Sequence, residues 1–157
     1  MARSVDAEVQ RINDEGNDLM DAGQVEAAAA KFREALALDD SHALSWYNLG
    51  VTQDALGDMK SAVESYVTAV NLDPGLVNAW NNIGMAHLLS GDLTGADAMF
   101  DQAITVDPDY PKSYNGKGSI CLESGDFAGA RRYFAMALER DPTSKVARQG
   151  LEYIDQR

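Results

Sequence analysis

The chain is poor in the residues that do chemistry. A single cysteine, Cys121, leaves no disulfide to close within the chain. Two histidines, His42 and His87, and one thiol are poor material for a zinc site. No phosphate-cradling loop or nucleophile motif appears. Asp92, Asp97 and Asp101 lack the alternating ligands and central glycine of a calcium loop and read as a solvated helix face. These absences point away from an enzyme and require no cofactor or metal. Cationic residues are also scarce: 13 Lys and Arg against 25 Asp and Glu give a net charge of −12. Nucleic acid and anionic membranes call for basic patches, so the balance argues against both. No apolar run reaches the ~18 residues of a membrane span. The opening MARSVDAEVQR lacks the apolar stretch of a secretory leader, and a cytoplasmic location is expected.

What the chain does have is periodicity. Residues 43–76, ALSWYNLGVTQDALGDMKSAVESYVTAVNLDPGL, are broken in the middle by Gly57-Asp58 and at the end by Asp73-Pro74. Trp46, Leu49, Gly50 and Gln53 fall at helical spacing before the first break, and Ala62, Tyr66 and Ala69 after it. Two helices and a tight turn are predicted. Isolated helices shorter than ~12–15 residues are marginal in water, so the pair needs neighbours. Repetition supplies them. A shift of 34 residues carries Trp46, Gly50, Gly57, Ala62, Tyr66, Ala69 and Pro74 onto Trp80, Gly84, Gly91, Ala96, Phe100, Ala103 and Pro108. A second shift gives Tyr114, Gly118, Gly125, Ala130, Phe134, Ala137 and Pro142. The backward shift gives Ile12, Gly16, Gly23, Ala28, Phe32, Ala35 and Asp40, the least faithful copy.

Each marker has a packing reason. Gly16, Gly50, Gly84 and Gly118 are small where helix backbones approach, and Phe32, Tyr66, Phe100 and Phe134 fill the space beside them. The turn glycines supply φ > 0. Asp58, Asp92 and Asp126 suit the N-cap of each second helix, and Ser41 that of the third helix. Pro111 suits a first helical turn. Met1–Glu8 (residues 1–8) forms a polar lead-in, either frayed or added to the first helix. In 145–157, Val146, Ala147, Gly150, Leu151 and Ile154 form one apolar stripe. This predicts a helix capping the last repeat, with a terminal interaction motif as the competing reading.

The marked pattern resembles the tetratricopeptide repeat, with its W-x2-L-G-x2-Y, A-x3-F and P positions. The resemblance covers four copies, 9–42, 43–76, 77–110 and 111–144, followed by the capping helix 145–157. It implies a single all-α domain, a right-handed superhelix or α-solenoid of two-helix repeats. It also implies a non-enzymatic adaptor or scaffold whose concave groove, lined by the first helix of each repeat, binds another protein. Lys117 stands where the family has leucine. Cys121 stands at a usual core tyrosine and reads as a small buried hydrophobe.

Carried over residue by residue, the variable groove positions include Asn13 and Asn17 from the first repeat and Tyr47, Asn48 and Val51 from the second. The third supplies Asn78, Asn81, Asn82, Met85 and Leu88, and the fourth Asn115. An asparagine amide offers both donor and acceptor, which suits a peptide backbone. Related arrays use the position of Asn48 and Asn82 to hold an extended peptide. The same amides serve equally well as local hydrogen bonds between repeats. Tyr47, Val51, Met85 and Leu88 form an apolar strip. The family's carboxylate clamp would need cations at Asn13, Asn78 and Asn82; all are missing, so acidic chaperone tails are not expected ligands.

Charge is uneven: −5 in 9–42, −3 in 43–76, −5 in 77–110, and +1 in each of 111–144 and 145–157. Asp14, Asp21, Asp54 and Glu123 lie on or near the wall against Lys112, so the expected partner is a peptide mixing basic and apolar residues. The alternative is a structural module that self-associates through its terminal helices without a groove ligand. A monomer or weak homodimer fits either.

Overall fold

The computed structural model describes residues 4–157, so the first three residues of the lead-in lie outside it. Among the described residues there are nine α-helices and no strand. They are α1 (Val5–Asp21), α2 (Val25–Leu38), α3 (Ala43–Ala55), α4 (Met59–Leu72), α5 (Val77–Leu89), α6 (Leu93–Val106), α7 (Pro111–Glu123), α8 (Phe127–Arg140) and α9 (Lys145–Asp155). Each expected repeat holds one helix pair, and the fold is an all-α solenoid of helical repeats. The chain divides into two compact units, one ending at Ala79 and the other beginning at Trp80.

Local chemistry sets the boundaries. Gly23, Gly57, Gly91 and Gly125 all have φ between 74° and 82°, in the left-handed region that a side chain disfavours. Asp58, Asp92 and Asp126 each accept a backbone N–H three residues on and cap α4, α6 and α8. The other end of each repeat is an Asx turn. Asp39, Asp73, Asp107 and Asp141 accept the N–H of Ser41, Gly75, Asp109 and Thr143 at 2.9–3.0 Å. Hydrogen bonds from Ser41 and Thr143 hold the carboxyls of Asp39 and Asp141 below the ordinary value. This turn overrides one expectation. Ser41 spends both its amide and its hydroxyl on Asp39. His42 is the N-cap of α3 instead, its Nδ1 accepting the Ser45 N–H.

The core of each unit is a column of small residues and rings. Phe32, Tyr66, Phe100 and Phe134 are at most 1% exposed. A Cβ placed on Gly16, Gly50, Gly84 or Gly118 would lie 2.5–2.8 Å from the ring of its own repeat. Gly116 and Gly150, one repeat further on than the obvious markers, press on Phe100 and Phe134 from the next helix. Large side chains then tie successive repeats. Trp46 Nε1 donates to the Asp40 carbonyl at 2.8 Å, and the Tyr114 hydroxyl donates to the Pro108 carbonyl at 2.6 Å. α9 packs against α8 and α7 with Ala147 and Gly150 buried and Leu151 and Ile154 half-buried. Val146, expected on the same stripe, is 51% exposed. Cys121 is half-buried, not buried, and burial, then the charge of Asp126, pushes its thiol up.

Asp97 and Asp101 are not simply a solvated face. Lys117, on α7, is 8% exposed and donates to both carboxylates on α6, at 2.7 and 2.6 Å. Burial alone would depress this lysine, but the hydrogen bonds and charges of Asp101 and Asp97 outweigh it and raise the pKa. The contribution to stability is therefore complete below the unfolded value of about 10.4 and fades as pH climbs through the folded one. Only the lysine of this cluster is buried, while the Asp97 and Asp101 side chains are 46% and 58% exposed, so replacing the lysine with a well-packed apolar residue should be close to neutral. Lys117→Leu should behave that way. Asp97→Ala/Asp101→Ala should instead cost about 1–3 kcal/mol, because it strands the ammonium. Thermal denaturation of both variants checks the asymmetry, and equal losses would contradict it.

Candidate functional site

In the first unit the first helices α1 and α3 meet through a polar network. Asn13, with no exposed surface, accepts from Ser45 Oγ and Asn48 Nδ2, both at 3.1 Å. Asn48 Nδ2 also donates to Asn17 Oδ1 at 3.1 Å. Asn13 therefore orients Asn48 and does not present its own amide. Asn48 is half-buried, and its Oδ1 has no hydrogen bond among the described residues. Beside it opens a cleft of about 320 Å³ lined by Asn17, Met20, Asp21, Phe32, Tyr47, Asn48 and Val51. Tyr47 stands half-exposed with its ring centroid 5.8 Å from that of Tyr66. Apolar walls, one amide edge and one carboxylate, Asp21, make up the chemistry of this cleft.

The remaining expected residues fall elsewhere. Asn78 is exposed near the start of α5. Asn81, Asn82 and Met85 of α5 line a larger cavity in the second unit, of about 520 Å³, with Asn115 of α7. Its rim adds Lys112, Gly116, Ser119, Asp141, Thr143, Ser144, Lys145 and Val146. Asn115 Nδ2 donates to Ser144 Oγ at 3.1 Å and so belongs partly to the cap of α9. Leu88 is half-buried and lines neither space. Asn48 and Asn82, expected to act as a pair, thus belong to different units. The sequence places Met20 on the groove face, where it lines the cleft, but gives no sign of Lys145 on the same rim as Lys112. Met20 sits at a variable groove position like Asn17, and Lys145 is hidden by its place in the last helix. No cluster of three or more potential metal ligands exists among the described residues. No described helix is long and apolar enough to cross a membrane.

The repeat family is decided by its profile, described as Tetratricopeptide repeat, which matches residues 13–77 and 81–145, more than half of the chain. The chain belongs to the tetratricopeptide repeat family. Solved structures similar to this tetratricopeptide repeat protein include MamA, at 22% identity and TM-score 0.77, covering 85% of this chain and 78% of that one. PilF of Pseudomonas aeruginosa is 21% identical with TM-score 0.82, over 98% of this chain and 78% of that one. TTC0263, a thermophilic tetratricopeptide repeat protein of Thermus thermophilus, is 23% identical with TM-score 0.79, over 94% and 81%. At such identities the likeness shows the fold. No curated protein matches the sequence closely enough to count as a relative. Tetratricopeptide repeat proteins generally mediate protein–protein interaction and scaffolding, and the fold is generally non-catalytic.

Proposed function

We propose that this protein is a non-enzymatic adaptor whose α1–α3 cleft holds an extended segment of a partner protein. The observation that carries the reading is the amide of Asn48. Its donor edge is fixed by Asn13 and Asn17, which leaves Oδ1 as the edge that can accept a peptide N–H. Met20, Tyr47 and Val51 provide the apolar contact for one or two side chains, and Asp21 beside them favours a cation. The partner segment therefore mixes Lys or Arg with aliphatic or aromatic residues, and its binding weakens with salt because the attraction is screened over about 8 Å at physiological ionic strength. On this reading the protein is a monomer or weak homodimer of the cytoplasm that acts by holding partners.

The test is a peptide-library screen against wild type and Asn48→Ala. Peptides lost in the variant should be enriched in basic and apolar residues, with an affinity loss of about 1–3 kcal/mol for the unsatisfied backbone group. Circular dichroism should show the fold intact. If no peptide distinguishes the two proteins, or if the lost peptides are acidic, the cleft does not work this way.

A further inference from the structure

The polar row behind Asn48 is one proton short. It runs from His42 Nδ1 to Ser45 Oγ at 2.7 Å, on to Asn13 Oδ1 at 3.1 Å, and from there to Asn48 Nδ2 at 3.1 Å. Ser45 and Asn13 have no exposed surface, so the row must satisfy itself. The contacts on either side of the Ser45 hydroxyl each need a proton, and a hydroxyl carries one. The other must come from a neighbour, either the His42 ring or the Asn13 amide.

Two arrangements meet that need. In the first, His42 Nδ1 is protonated and donates to Ser45 Oγ. Ser45 then donates to Asn13 Oδ1, Asn48 Nδ2 donates to the same oxygen, and Asn48 Oδ1 is left for the cleft. This arrangement has two costs. A protonated Nδ1 cannot accept the Ser45 N–H that caps α3, and Asn13 Nδ2 stays buried without a partner. In the second, Nδ1 is bare and accepts both the Ser45 N–H and the Ser45 hydroxyl. Asn13 turns its amide end for end, so that Nδ2 donates to Ser45 Oγ and to Asn48 Oδ1. Asn17 and Asn48 turn with it, and Asn48 shows Nδ2 to the cleft. The structure holds the amides of the first arrangement, while the cap contact of the second is stretched to 3.3 Å.

We infer that His42 is a positioning residue for the α1–α3 cleft: through Ser45 and Asn13, the proton on its Nδ1 decides whether Asn48 offers a partner an acceptor or a donor. The inference rests on the peptide-binding reading above and adds its regulation. A neutral imidazole can leave Nδ1 bare, whereas the imidazolium fills both nitrogens, and this side chain changes charge between about pH 5 and 8. Acidification therefore turns Asn48 Oδ1 outward and strengthens capture of a peptide N–H. His42 is half-buried and so within reach of solvent protons. The carboxylate that bears on it is Asp39, in the turn before α3. Against it stand the free N–H groups of the α3 N-terminus, which disfavour a cation. α1 faces the row with the uncharged Asn13. At this register the later repeats carry Leu76, Tyr110 and Ser144, and the first Glu8, so the imidazole is particular to this cleft.

Nuclear magnetic resonance of the full chain without ligand tests it first. Between about pH 8 and pH 6 the side-chain amide signals of Asn13 and Asn48 should move with the same midpoint as the His42 ring. In His42→Asn, which keeps an N-cap acceptor but cannot titrate, they should stay still. Isothermal titration then uses the tightest Asn48-dependent peptide from the screen above, terminally blocked and free of histidine. It should bind wild type about fivefold more tightly at the lower pH, the scale of one hydrogen bond, and His42→Asn should lose that margin. Amide signals that ignore the His42 titration, or a pH margin that survives in His42→Asn, overturn the inference. Asn48-dependent binding with no pH margin overturns the role of His42 and leaves the cleft standing. Coupled amide signals with no Asn48-dependent peptide at either pH would instead overturn the peptide-binding reading.

Discussion

Gly84→Leu should lower the melting temperature by about 6–12 °C, corresponding to a loss of about 3 kcal/mol at 2–4 °C per kcal/mol for a chain of this size. The Cβ alone would lie 2.8 Å from Phe100 Cε1, and three more carbons follow it. Relief by swinging the ring is blocked, because Gly116 presses the same ring from α7. The helices must separate or the ring must leave its rotamer. Gly91→Leu is the control. A Cβ on that turn glycine would meet nothing within 4 Å, and its φ is 81°, so only the left-handed backbone cost of about 1–2 kcal/mol applies. Equal melting temperatures for wild type and Gly84→Leu would remove the packing role of this glycine.

Deleting residues 145–157 should have the second large effect. Gly150 lies against Phe134, and Leu151 and Ile154 pack on the cluster of Phe134, Ala137 and Tyr114. Full burial of a leucine or isoleucine contributes about 1.5–3 kcal/mol, so two half-buried ones plus the cover over Phe134 amount to about 3 kcal/mol. The uncovered face would be apolar and contiguous, a surface that drives association. Light scattering should show concentration-dependent assembly, and thermal unfolding should shift downward. A truncated protein that stays monomeric and equally stable would show that α9 is not a cap.

How much of this could be read beforehand depended on the range of the interaction. The helix ends were legible because a turn glycine, an aspartate cap or a proline acts on residues three or four away. The buried glycines and rings were legible because they recur at one period. Ser41 was misplaced because Asp39, two residues back, competes for its amide and hydroxyl. The Lys117 cluster was invisible because its carboxylates come from another helix, 16 and 20 residues earlier. The groove positions came from family register, which gives the facing helix but not which side chains turn inward. Asn13 and Asn81 are buried at the same register that leaves Asn115 half-buried.

The Asx turns that close the four repeats bear on the order of assembly. Each uses an aspartate and an amide two residues on, so it needs no partner from a distant part of the chain. Contacts this local close fast and at little entropic cost. During synthesis, a repeat can set its own terminus as soon as it leaves the ribosome, before the following repeat exists. Each helix pair then carries its own terminal turn before the next pair is made.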